Sequence, residues 1–528
     1  MKQTDFVVVG AGTAGLLAAV AAKRLGFDVL VVEGTSYVGG TTSGSRGAMW
    51  LPGNDLMIKI GQDDSAGLAL DYLNQVLGKT TQASTSARRS AYIDSSIKMV
   101  RWLASSKLQM TVMRGLPDYH QALIGGKPQG RVLALNHTNV TTLGKWSDRM
   151  RRAPQDVSKN PLRKLIGKND ETTTTRGEAL VAELLRRATA SNVDFSFDSV
   201  LVELVTDGDA VTGVVIERNG RSEKIAARHG VLLACGGFEA NQQLREEFLP
   251  LPTNALWSLN EPLNTGTAIQ VGTAIGADTA ALGDAWWVPV LVINGQPYRV
   301  DKARQAPHGI IVDQAGDRFF SEAAGPSVLG RYLYSRSHGG VRAVPSFLIM
   351  DARHRSRYEL GPWKAGSTPR KAIEAGDIIR ATTLNDLANE LGIDRAGLIG
   401  SVVRFNSFAH KGHDLDFRRG ESDWDRFGFG GSRAKNPVLG KIDKSPFWAV
   451  KLFPGDTGTK GGLRIDEDSR VLRSDGSIIC GLYACGGAAA SIMKNTSPGP
   501  GAGLGEALIG AYRAVLTAHS QASPPPFG

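Results

Sequence analysis

Cysteine is scarce in this sequence, which has three among its 528 residues. Cys235, Cys480 and Cys485 lack the spacing of a zinc site, and no Cys-x-x-Cys-His motif is present, so the usual c-type haem attachment is excluded. We expect the three to be small, buried, apolar side chains in a protein of the reducing cytoplasm. No metal site is predicted.

Long apolar runs are also lacking, and none reaches the length that crosses a bilayer. The apolar N-terminus is interrupted by Gly10, Gly12 and Gly15 and continues into a second strand-like segment, unlike a signal peptide. We therefore expect no integral membrane segment and a cytoplasmic location. Peripheral contact with a membrane that supplies an apolar substrate stays open.

The composition is that of a large globular protein, with 42% hydrophobic and 21% charged residues. A chain of this length exceeds what one core usually supports, so two domains, or one domain with a second inserted, are expected. The net charge of +10 attracts anions, and residues 145–168 hold eight Lys and Arg against two Asp. No nucleic-acid module surrounds this run, so a solvated basic loop is predicted, while an anionic or carboxylated substrate stays open.

The first forty residues predict a strand, a glycine turn, a helix and a second strand, over 6–9, 10–15, 16–25 and 29–33. In the turn, Gly10 permits the tight bend, Gly12 lets the backbone approach a pyrophosphate, and Gly15 allows close helix packing. The helix N-terminus offers amides and a positive dipole to phosphates. Glu33 ends the second strand where a carboxylate accepts hydrogen bonds from a ribose diol, so we predict dinucleotide binding.

Two further segments favour FAD over NAD. A second loop of glycines and hydroxyls, Gly39-Gly40-Thr41-Thr42-Ser43, follows Glu33 and can hydrogen-bond a pyrophosphate and a flavin. The strand that ends in Ala234-Cys235-Gly236-Gly237 completes a pattern typical of FAD proteins. A helix over 177–190 and a hairpin of strands over 200–205 and 211–217 lie between these two segments.

The predicted fold class is α/β, with a Rossmann-like FAD-binding domain and an inserted α+β catalytic or cap domain. The strand before Gly236 has a near-copy late in the chain, before Gly486, and both are assigned to the cofactor domain. The segment between is richer in aromatics, Arg and Pro. We predict residues 1–287 and 448–528 as the two parts of the FAD-binding domain, and 288–447 as the insert.

At the level of motifs the chain resembles, almost end to end, the FAD-dependent 3-ketosteroid 1-dehydrogenases of the fumarate reductase flavoprotein superfamily. The resemblance is carried by Gly39-Gly40-Thr41-Thr42, by Met49-Trp50-Leu51-Pro52-Gly53-Asn54, by Pro117-Asp118-Tyr119, by Gly283-Asp284-Ala285-Trp286-Trp287 and most specifically by Ser497-Pro498-Gly499-Pro500-Gly501-Ala502-Gly503-Leu504-Gly505. The last motif is a rigid turn that feeds a helix starting near Gly505, which would aim amides at a flavin and a substrate carbonyl.

The resemblance implies that a proton is removed from the ring carbon next to the ketone. A hydride then passes from the following ring carbon to flavin N5. Tyr119 matches the family's first catalytic tyrosine, and Gly501 matches the glycine whose amide binds the ketone oxygen. Two family tyrosines are missing, because Ser497 and Pro326 stand in their places. Tyr332 or Tyr334 could supply the missing phenol. The expected substrate is a cyclic ketone of the steroid type, and the electron acceptor is unknown.

The predicted contacts to FAD are shared among the glycine turn, the second loop and the late motifs. They are Gly10, Gly12, Ala14, Gly15, Glu33, Gly34, Gly39, Gly40, Thr41, Thr42, Ser43, Leu201, Ala234, Gly236, Gly237, Gly486, Gly503 and Leu504.

Three alternatives remain open from the sequence. Because Pro326 and Ser497 lie where a steroid ketone would be gripped, a smaller ring such as a cyclohexanone or oxo-cyclohexanecarboxylate is the first. A dicarboxylate reductase of the fumarate type needs an Arg and His cluster, and residues 456–462 contain no His. An FAD sensor or electron carrier is disfavoured by the inserted domain and by Tyr119.

Overall fold

The computed structural model describes residues 2–135, 137–152, 173–429 and 434–522. Four of the basic residues in the run 145–168, namely Lys159, Arg163, Lys164 and Lys168, lie outside the described residues, so the solvated basic loop stays a prediction. Within the described ranges, no helix combines the length and apolarity that crossing a membrane requires. The cytoplasmic location stays a prediction.

The strands are numbered in chain order over the described residues. They are β1 (Lys2–Thr4), β2 (Phe6–Val9), β3 (Val29–Val32), β4 (Met49–Trp50), β5 (Thr111–Val112), β6 (Val132–Ala134), β7 (Thr138–Asn139), β8 (Thr173–Thr174), β9 (Asp194–Ser196), β10 (Ser199–Asp207), β11 (Ala210–Arg218), β12 (Arg221–Ala227), β13 (Val231–Leu233), β14 (Thr279–Ala280), β15 (Ala285–Ile293), β16 (Gln296–Arg299), β17 (Gly309–Val312), β18 (Ser346–Met350), β19 (Ile379–Ala381), β20 (Phe447–Thr459), β21 (Gly462–Leu463), β22 (Arg470–Leu472) and β23 (Ile478–Ala484).

The α-helices are numbered in the same way. They are α1 (Thr13–Arg24), α2 (Gly40–Ser43), α3 (Ala66–Leu77), α4 (Ser86–Ser105), α5 (Arg176–Ala190), α6 (Gln242–Phe248), α7 (Thr267–Thr273), α8 (Asp301–Gln305), α9 (Pro326–His338), α10 (Ala352–Arg357), α11 (Arg370–Glu374), α12 (Leu384–Leu391), α13 (Arg395–Lys411), α14 (Asp423–Arg426) and α15 (Ala502–Ala522). Short 3₁₀ turns cover Ile58–Ile60, Val140–Arg149, Ala255–Trp257 and Gly486–Ala488.

The largest sheet in the described chain has ten strands, with the order β1-β12-β11-β23-β13-β2-β3-β9, and β10 and β22 join it through β11 and β23. The strands β23, β13, β2, β3 and β9 run parallel to their neighbours in that order. Such strands are covered on both faces, and β2 and β3 are buried along their whole length. The predicted strand–helix–strand unit is therefore confirmed in β2, α1 and β3.

Helix α1 is buried from Thr13 to Ala22, and small residues make this possible, because five alanines and two leucines fill its turns. It packs against α15 on one side and α5 on another. Lys23 and Arg24 in its last turn lie at the negative end of the helix dipole. The N-terminus of α1 is thereby fixed at the edge of the sheet where the parallel strands end.

A second sheet of six antiparallel strands has the order β16-β15-β20-β18-β17, with β19 paired to β20. Its long strand β20 lies beside β15, and the region between these strands in sequence supplies the rest of the sheet. The sheet reaches from residue 285 to residue 459, a little beyond the predicted insert of 288–447. The division of the chain into domains stays a prediction.

Two expectations are wrong. Cys480 is exposed, because side chains alternate between the two faces of β23 and the neighbouring Ile479 is the buried one, while Cys485 is buried and Cys235 is intermediate. The last helix starts at Ala502, three residues before Gly505, because the amide of Gly505 already donates its helical hydrogen bond to the carbonyl of Gly501 at 2.9 Å. Gly503 and Leu504 therefore lie inside its first turn.

Candidate active site

The glycine turn before α1 leaves an open helix N-terminus. Gly10 has a φ of +104°, and a Cβ there would lie 2.5 Å from the carbonyl oxygen of Ala234. At Gly12 a Cβ would meet nothing within 4 Å in the described structure, and no side chain caps the helix that begins after it. At Gly15 a Cβ would collide with the carbonyl of Gly10. The first turn of α1 thus presents free amides and space to an anion.

Glu33 braces this turn. One carboxylate oxygen accepts a hydrogen bond from the amide of Ala11 at 2.7 Å. The other accepts from the amide of Thr35 at 2.9 Å and from its hydroxyl at 2.8 Å. The sequence could not show this role, and binding of a ribose by Glu33 stays a prediction. A Cβ on Gly34 would lie 3.5 Å from the side chain of Leu263 and 3.9 Å from that of Val200.

The second loop meets the first. The amide of Gly39 donates to the carbonyl of Ala11 at 2.9 Å, and α2 begins directly afterwards with Gly40, Thr41, Thr42 and Ser43. Side chains here include two buried hydroxyls, on Thr13 and Ser43, that have no hydrogen-bond partner within the described part of the chain. Buried polar atoms are normally paired. These two donors fit a cofactor with phosphate and hydroxyl oxygens, such as FAD.

Two other glycine pairs, Gly236-Gly237 and Gly486-Gly487, lie at the same edge of the sheet. Gly236, with a φ of +82°, lies against Asn264, whose amide nitrogen donates to the hydroxyl of Thr41 at 3.3 Å. A Cβ on Gly487 would lie 2.7 Å from the amide nitrogen of Gly237, so the two glycine pairs touch. The structure brings together Gly10, Gly12, Ala14, Gly15, Gly39, Gly40, Thr41, Ala234, Gly236, Gly237 and Gly486 at one edge. Leu201 instead packs in the core beneath β10.

The turn 497–501 carries the second half of the site. Gly501 has a φ of +83°, and a Cβ there would strike the carbonyl of Ala48, so only glycine fits. Its carbonyl accepts from the amide of Trp50 at 3.1 Å. Its own amide donates to no acceptor among the described residues. The buried hydroxyl of Ser497 donates to the carbonyl of Gly499 at 3.1 Å.

Tyr119 lies on this turn. Its backbone amide donates to the carbonyl oxygen of Pro498 at 3.1 Å, and the hydroxyl of Tyr72 donates to the same oxygen at 2.5 Å. The Tyr119 ring stands edge-on to Trp424, with centroids 4.4 Å apart. A Cβ on Gly325 would lie 3.3 Å from the ring, so the start of α9 also packs on it. Tyr119, which is distant in sequence, therefore lies against the turn that holds Ser497 and Gly501.

A buried ion network holds the Tyr119 loop. Arg131 bridges Asp64 and Asp118, with nitrogen to oxygen distances of 2.7 Å to each. The indole nitrogen of Trp50 donates to the other oxygen of Asp118 at 2.7 Å. Burial raises the pKa of Asp118, and the charge of Arg131 opposes the rise. Asp118 belongs to a motif that the sequence shows, but its partners Arg131 and Asp64 were missed because nothing in their spacing marks them.

Charged groups that the sequence did not indicate act on the phenol of Tyr119. Burial raises its pKa well above the ordinary value, and the carboxylate of Asp301 adds to the rise. The guanidiniums of Arg299, Arg46 and Arg304 lower it. These are the cationic neighbours that a phenol needs if it is to act as a base.

Tyr332 and Tyr334 do not supply the missing phenol. Both line a separate cavity of about 820 Å³, whose described lining includes Trp287 and Lys494 but not Tyr119. The hydroxyl of Tyr334 donates to the carbonyl of Pro252 at 3.1 Å. The expectation is wrong because the Tyr332 ring stacks on Phe320 and the Tyr334 hydroxyl bonds to Pro252, and the cavity that both line does not include Tyr119.

Lys460 is structural. Its buried ammonium donates to the carbonyls of Lys494 and Thr496, both at 2.9 Å, and lies 4.5 Å from the centre of the Trp286 ring. Burial lowers its pKa to about 8. Trp286 in turn packs against Gly503, since a Cβ there would lie 3.0 Å from its ring. Lys460 and Trp286 therefore anchor both sides of the turn 497–501.

Comparisons with known proteins cover almost the whole chain. A family model described as an FAD binding domain matches residues 5–504. The chain is 33% identical over 564 residues to the 3-oxosteroid 1-dehydrogenase of Mycobacterium tuberculosis, with 99% of each chain covered. It is 32% identical to the 4-oxocyclohexanecarboxylate 2-dehydrogenase of Sinomonas cyclohexanicum, over 98% of this chain and 93% of that one.

Among solved structures, the 3-ketosteroid delta1-dehydrogenase from Sterolibacterium denitrificans, in complex with 1,4-androstadiene-3,17-dione, matches with a TM-score of 0.92 and 34% identity. The match covers 99% of this chain and 100% of that one. The mixed α/β fold is thus that of FAD-dependent flavoprotein dehydrogenases, and the protein is an FAD-dependent oxidoreductase. It belongs to the FAD-dependent 3-ketosteroid 1-dehydrogenase family.

Proposed function

We propose that the protein introduces a carbon–carbon double bond next to the ketone of a cyclic substrate of the 3-ketosteroid kind. The observation that carries this proposal is the meeting of the Tyr119 loop with the turn 497–501. The backbone amide of Tyr119 bonds there to the carbonyl of Pro498, three residues before the free amide of Gly501. In the reaction one ring carbon loses a hydrogen as a proton, and the adjacent ring carbon loses a hydrogen as a hydride. The bond between these two carbons becomes double.

We assign the cofactor site to the glycine edge. The amides of α1 would hold the pyrophosphate, the hydroxyls of Thr13 and Ser43 would donate to the cofactor, and the first turn of α15, with Gly503 and Leu504, would face it. FAD, when bound, supplies the acceptor for the two electrons that leave with the hydride. We also propose that the large sheet and α1 form a Rossmann-like domain, with the second sheet as its cap.

Gly501 is the proposed carbonyl-binding residue. Its unpartnered amide, at the positive end of the α15 dipole, would donate to the ketone oxygen. Polarisation of the ketone acidifies the hydrogens on the adjacent carbon. The hydroxyl of Ser497 lies in the same turn, but its hydrogen bond to Gly499 orients it along the backbone. Ser497 would therefore act mainly by keeping the turn in shape.

Tyr119 is the proposed acceptor of the ring proton. Its raised pKa means that the phenol is protonated near neutral pH, so it must lose its own proton before it can accept another. The guanidiniums of Arg46, Arg299 and Arg304 would stabilise the phenolate. Activity should therefore increase with pH into the alkaline range.

A ring ketone that carries a carboxylate is the second candidate substrate. The Sinomonas relative is named for such a compound. The guanidiniums near Tyr119 favour it, because a steroid diketone offers them no charge to bind.

The test is product analysis under turnover with an artificial electron acceptor. Purified holoenzyme should convert a cyclic ketone into a product two mass units lighter, with the absorbance of a conjugated enone. If neither 3-ketosteroids nor substituted cyclohexanones yield such a product, the proposal fails.

A further inference from the structure

A buried carboxyl group lies directly behind the glycine edge that is assigned to the cofactor. Glu239 follows Gly236 and Gly237 after the end of β13, and its side chain is almost fully buried. A Cβ on Gly237 would lie 2.6 Å from its Oε2 atom. Neither the sequence motifs nor the proposed reaction gives this carboxyl group a role. Its hydrogen-bond partners show what it holds in place.

The carboxyl group of Glu239 accepts hydrogen bonds on both oxygens. Oε1 accepts from the side-chain amides of Asn260 and Asn264, each at 2.6 Å. Oε2 accepts from the backbone amide and from the hydroxyl of Thr459, each at 3.3 Å. The Thr459 hydroxyl in turn accepts from the amide of Phe238 at 3.1 Å, which leaves its own hydrogen for Glu239. The four groups around Glu239 are therefore all donors, which is the surrounding that an acceptor-only carboxylate requires.

Glu239 forms no ion pair within the described residues. The guanidinium of Arg245 donates to the backbone carbonyl of Glu239 at 3.0 Å, but its charge pairs with Asp456 at 2.7 Å, and both of these side chains are fully buried. Burial raises the pKa of Glu239, and the nearby charge of Asp456 adds to the rise. Because the carboxyl group depends on neutral donors alone, it fixes the direction in which each of them points.

The side-chain amide of Asn264 connects Glu239 to Thr41. Its nitrogen carries two hydrogens, of which one is donated to Glu239 and the other to the hydroxyl oxygen of Thr41 at 3.3 Å. Gly236 makes room for this side chain, since a Cβ there would lie 2.3 Å from the Oδ1 atom of Asn264. Turning the amide over would bring Oδ1 against the carboxyl oxygen, so Glu239 determines that the nitrogen faces Thr41.

This arrangement leaves the hydroxyl of Thr41 as a donor. Its oxygen accepts from Asn264, and no acceptor for its hydrogen is found among the residues that the structure describes. Thr41 follows Gly40, and a Cβ on Gly40 would lie 3.6 Å from the Cα of Gly12. The open space beside Gly12 is the place assigned to the cofactor. A hydroxyl hydrogen is therefore available at the same edge.

We infer that Glu239 and Asn264 are positioning residues for FAD, which orient the Thr41 hydroxyl so that it donates to an acceptor atom of the cofactor. The inference rests on the cofactor site given under the proposed function and is independent of which ketone reacts. Neither Glu239 nor Asn264 needs to touch the cofactor. If the chain from Glu239 through Asn264 to Thr41 is broken, the hydroxyl is free to turn, and its bond to FAD is lost.

A double-mutant cycle tests whether Glu239 acts through Thr41. Glu239→Gln keeps the shape of the side chain but places an amide nitrogen among four donors, and Thr41→Val removes the hydroxyl at similar volume. We expect each single variant to weaken FAD binding about tenfold. The double variant should also be weakened only about tenfold, instead of about a hundredfold, because the same bond to FAD is lost in all three. Titration of the full-length apoprotein with FAD, followed by flavin fluorescence, measures the affinities.

Two asparagines provide a matched comparison. Asn260 and Asn264 are both half-buried and donate to the same oxygen of Glu239 at the same distance, but only Asn264 also donates to Thr41. Asn260→Ala and Asn264→Ala should therefore lower the thermal unfolding temperature of the apoprotein by similar amounts. FAD affinity should fall about tenfold in Asn264→Ala and stay within about threefold of the parent in Asn260→Ala.

The outcomes separate this inference from the cofactor site on which it rests. A double variant whose loss of FAD affinity is the product of the two single losses overturns the positioning role, and so does equal FAD affinity of Asn260→Ala and Asn264→Ala. If Glu239→Gln does not fold, the cycle of Asn264→Ala with Thr41→Val makes the same test. Normal FAD affinity in Gly12→Ala would instead show that the cofactor site itself is wrong. Weak binding in Gly12→Ala with normal binding in Glu239→Gln overturns the positioning role alone.

Discussion

The backbone amide of Tyr119 donates a hydrogen bond to the carbonyl oxygen of Pro498 at 3.1 Å. This contact joins segments that are almost 400 residues apart in sequence. On one side lies the phenol and on the other the turn that ends in Gly501. Tyr72 donates to the same carbonyl at 2.5 Å, so both lone pairs of that oxygen are used. The loop that carries the phenol is therefore tied through its backbone to the turn that carries the Gly501 amide.

Replacement of Tyr119 by Phe should remove the proton acceptor while the ring stays packed on Trp424. We expect the rate of flavin reduction by a cyclic ketone to fall about 100-fold or more with FAD content unchanged. Because the pKa of Tyr119 is raised above its ordinary value of about 10, the parental rate should still be increasing at pH 9.5. The measurement is anaerobic stopped-flow absorbance over a pH series.

Tyr332→Phe is the control for that variant, since Tyr332 is 43% exposed and lies in the separate cavity. A Tyr119→Phe enzyme that reacts at the parental rate would remove Tyr119 from the mechanism.

Gly12→Ala should separate cofactor binding from folding. The new methyl group meets no described protein atom within 4 Å, and the backbone there has the extended conformation that alanine adopts easily. It would stand where the backbone approaches the pyrophosphate, so we expect FAD affinity to fall at least about tenfold. FAD titration of the apoprotein and its thermal unfolding measure the two effects.

Gly400→Ala is the matched substitution, because Gly400 lies exposed in α13 and a methyl group there also meets nothing within 4 Å. Retention of normal FAD affinity by Gly12→Ala would contradict the assigned site.

Arg131→Met should destabilise the fold. It would leave Asp64 and Asp118 buried without their cation, and the loss of one partner of a buried pair costs about 3–5 kcal/mol. Urea unfolding of the holoenzyme measures the change. Arg404→Met, which breaks a pair at the surface, should leave the midpoint close to that of the parent. Equal stability of the two variants would show that the network does not hold the Tyr119 loop.

The buried carboxylate of Glu322 should make the free energy of unfolding depend on pH in the acid range. Burial alone would raise its pKa, but Arg318 and Arg419 lower it to about 2. A carboxyl whose pKa is depressed in the folded state contributes stability above its unfolded pKa of about 4.3, and this contribution is lost as the pH falls toward 2. The free energy of unfolding of the parent relative to Glu322→Gln should therefore be largest above pH 5 and shrink below pH 4.

Equilibrium unfolding of both proteins between pH 6 and pH 3 measures that difference. A difference that stays constant over the range would show that the ion pairs with Arg318 and Arg419 do not set the charge of Glu322.

The sequence was informative where the chemistry depends on the backbone. The spacing of Gly10, Gly12 and Gly15 requires a tight turn, so the strand–helix–strand unit could be read directly. The turn before Gly501 was equally clear, because proline and a glycine with positive φ leave few conformations. The start of α15 was missed by three residues, since helical hydrogen bonding begins within the motif.

The side chains that interact with Tyr119 and Asp118 could not be predicted from the sequence in the same way. Arg46, Arg299 and Arg304 lie near Tyr119 only because β16 and α8 fold back over the loop after α2. Such long-range contacts leave no periodic pattern in a single sequence. The same holds for Arg131 between Asp64 and Asp118. The exposed position of Cys480 was missed because residue type alone does not show which face of a strand a side chain occupies.

One measurement tests the central claim most directly: anaerobic mixing of the holoenzyme with one equivalent of a ring ketone, following flavin bleaching and enone absorbance together. The account predicts that the two signals change at the same rate and in a ratio of one flavin reduced per enone formed, and that both are slowed in Tyr119→Phe. Flavin that stays oxidised with every steroid and cyclohexanone offered, or that bleaches without an enone, would contradict it.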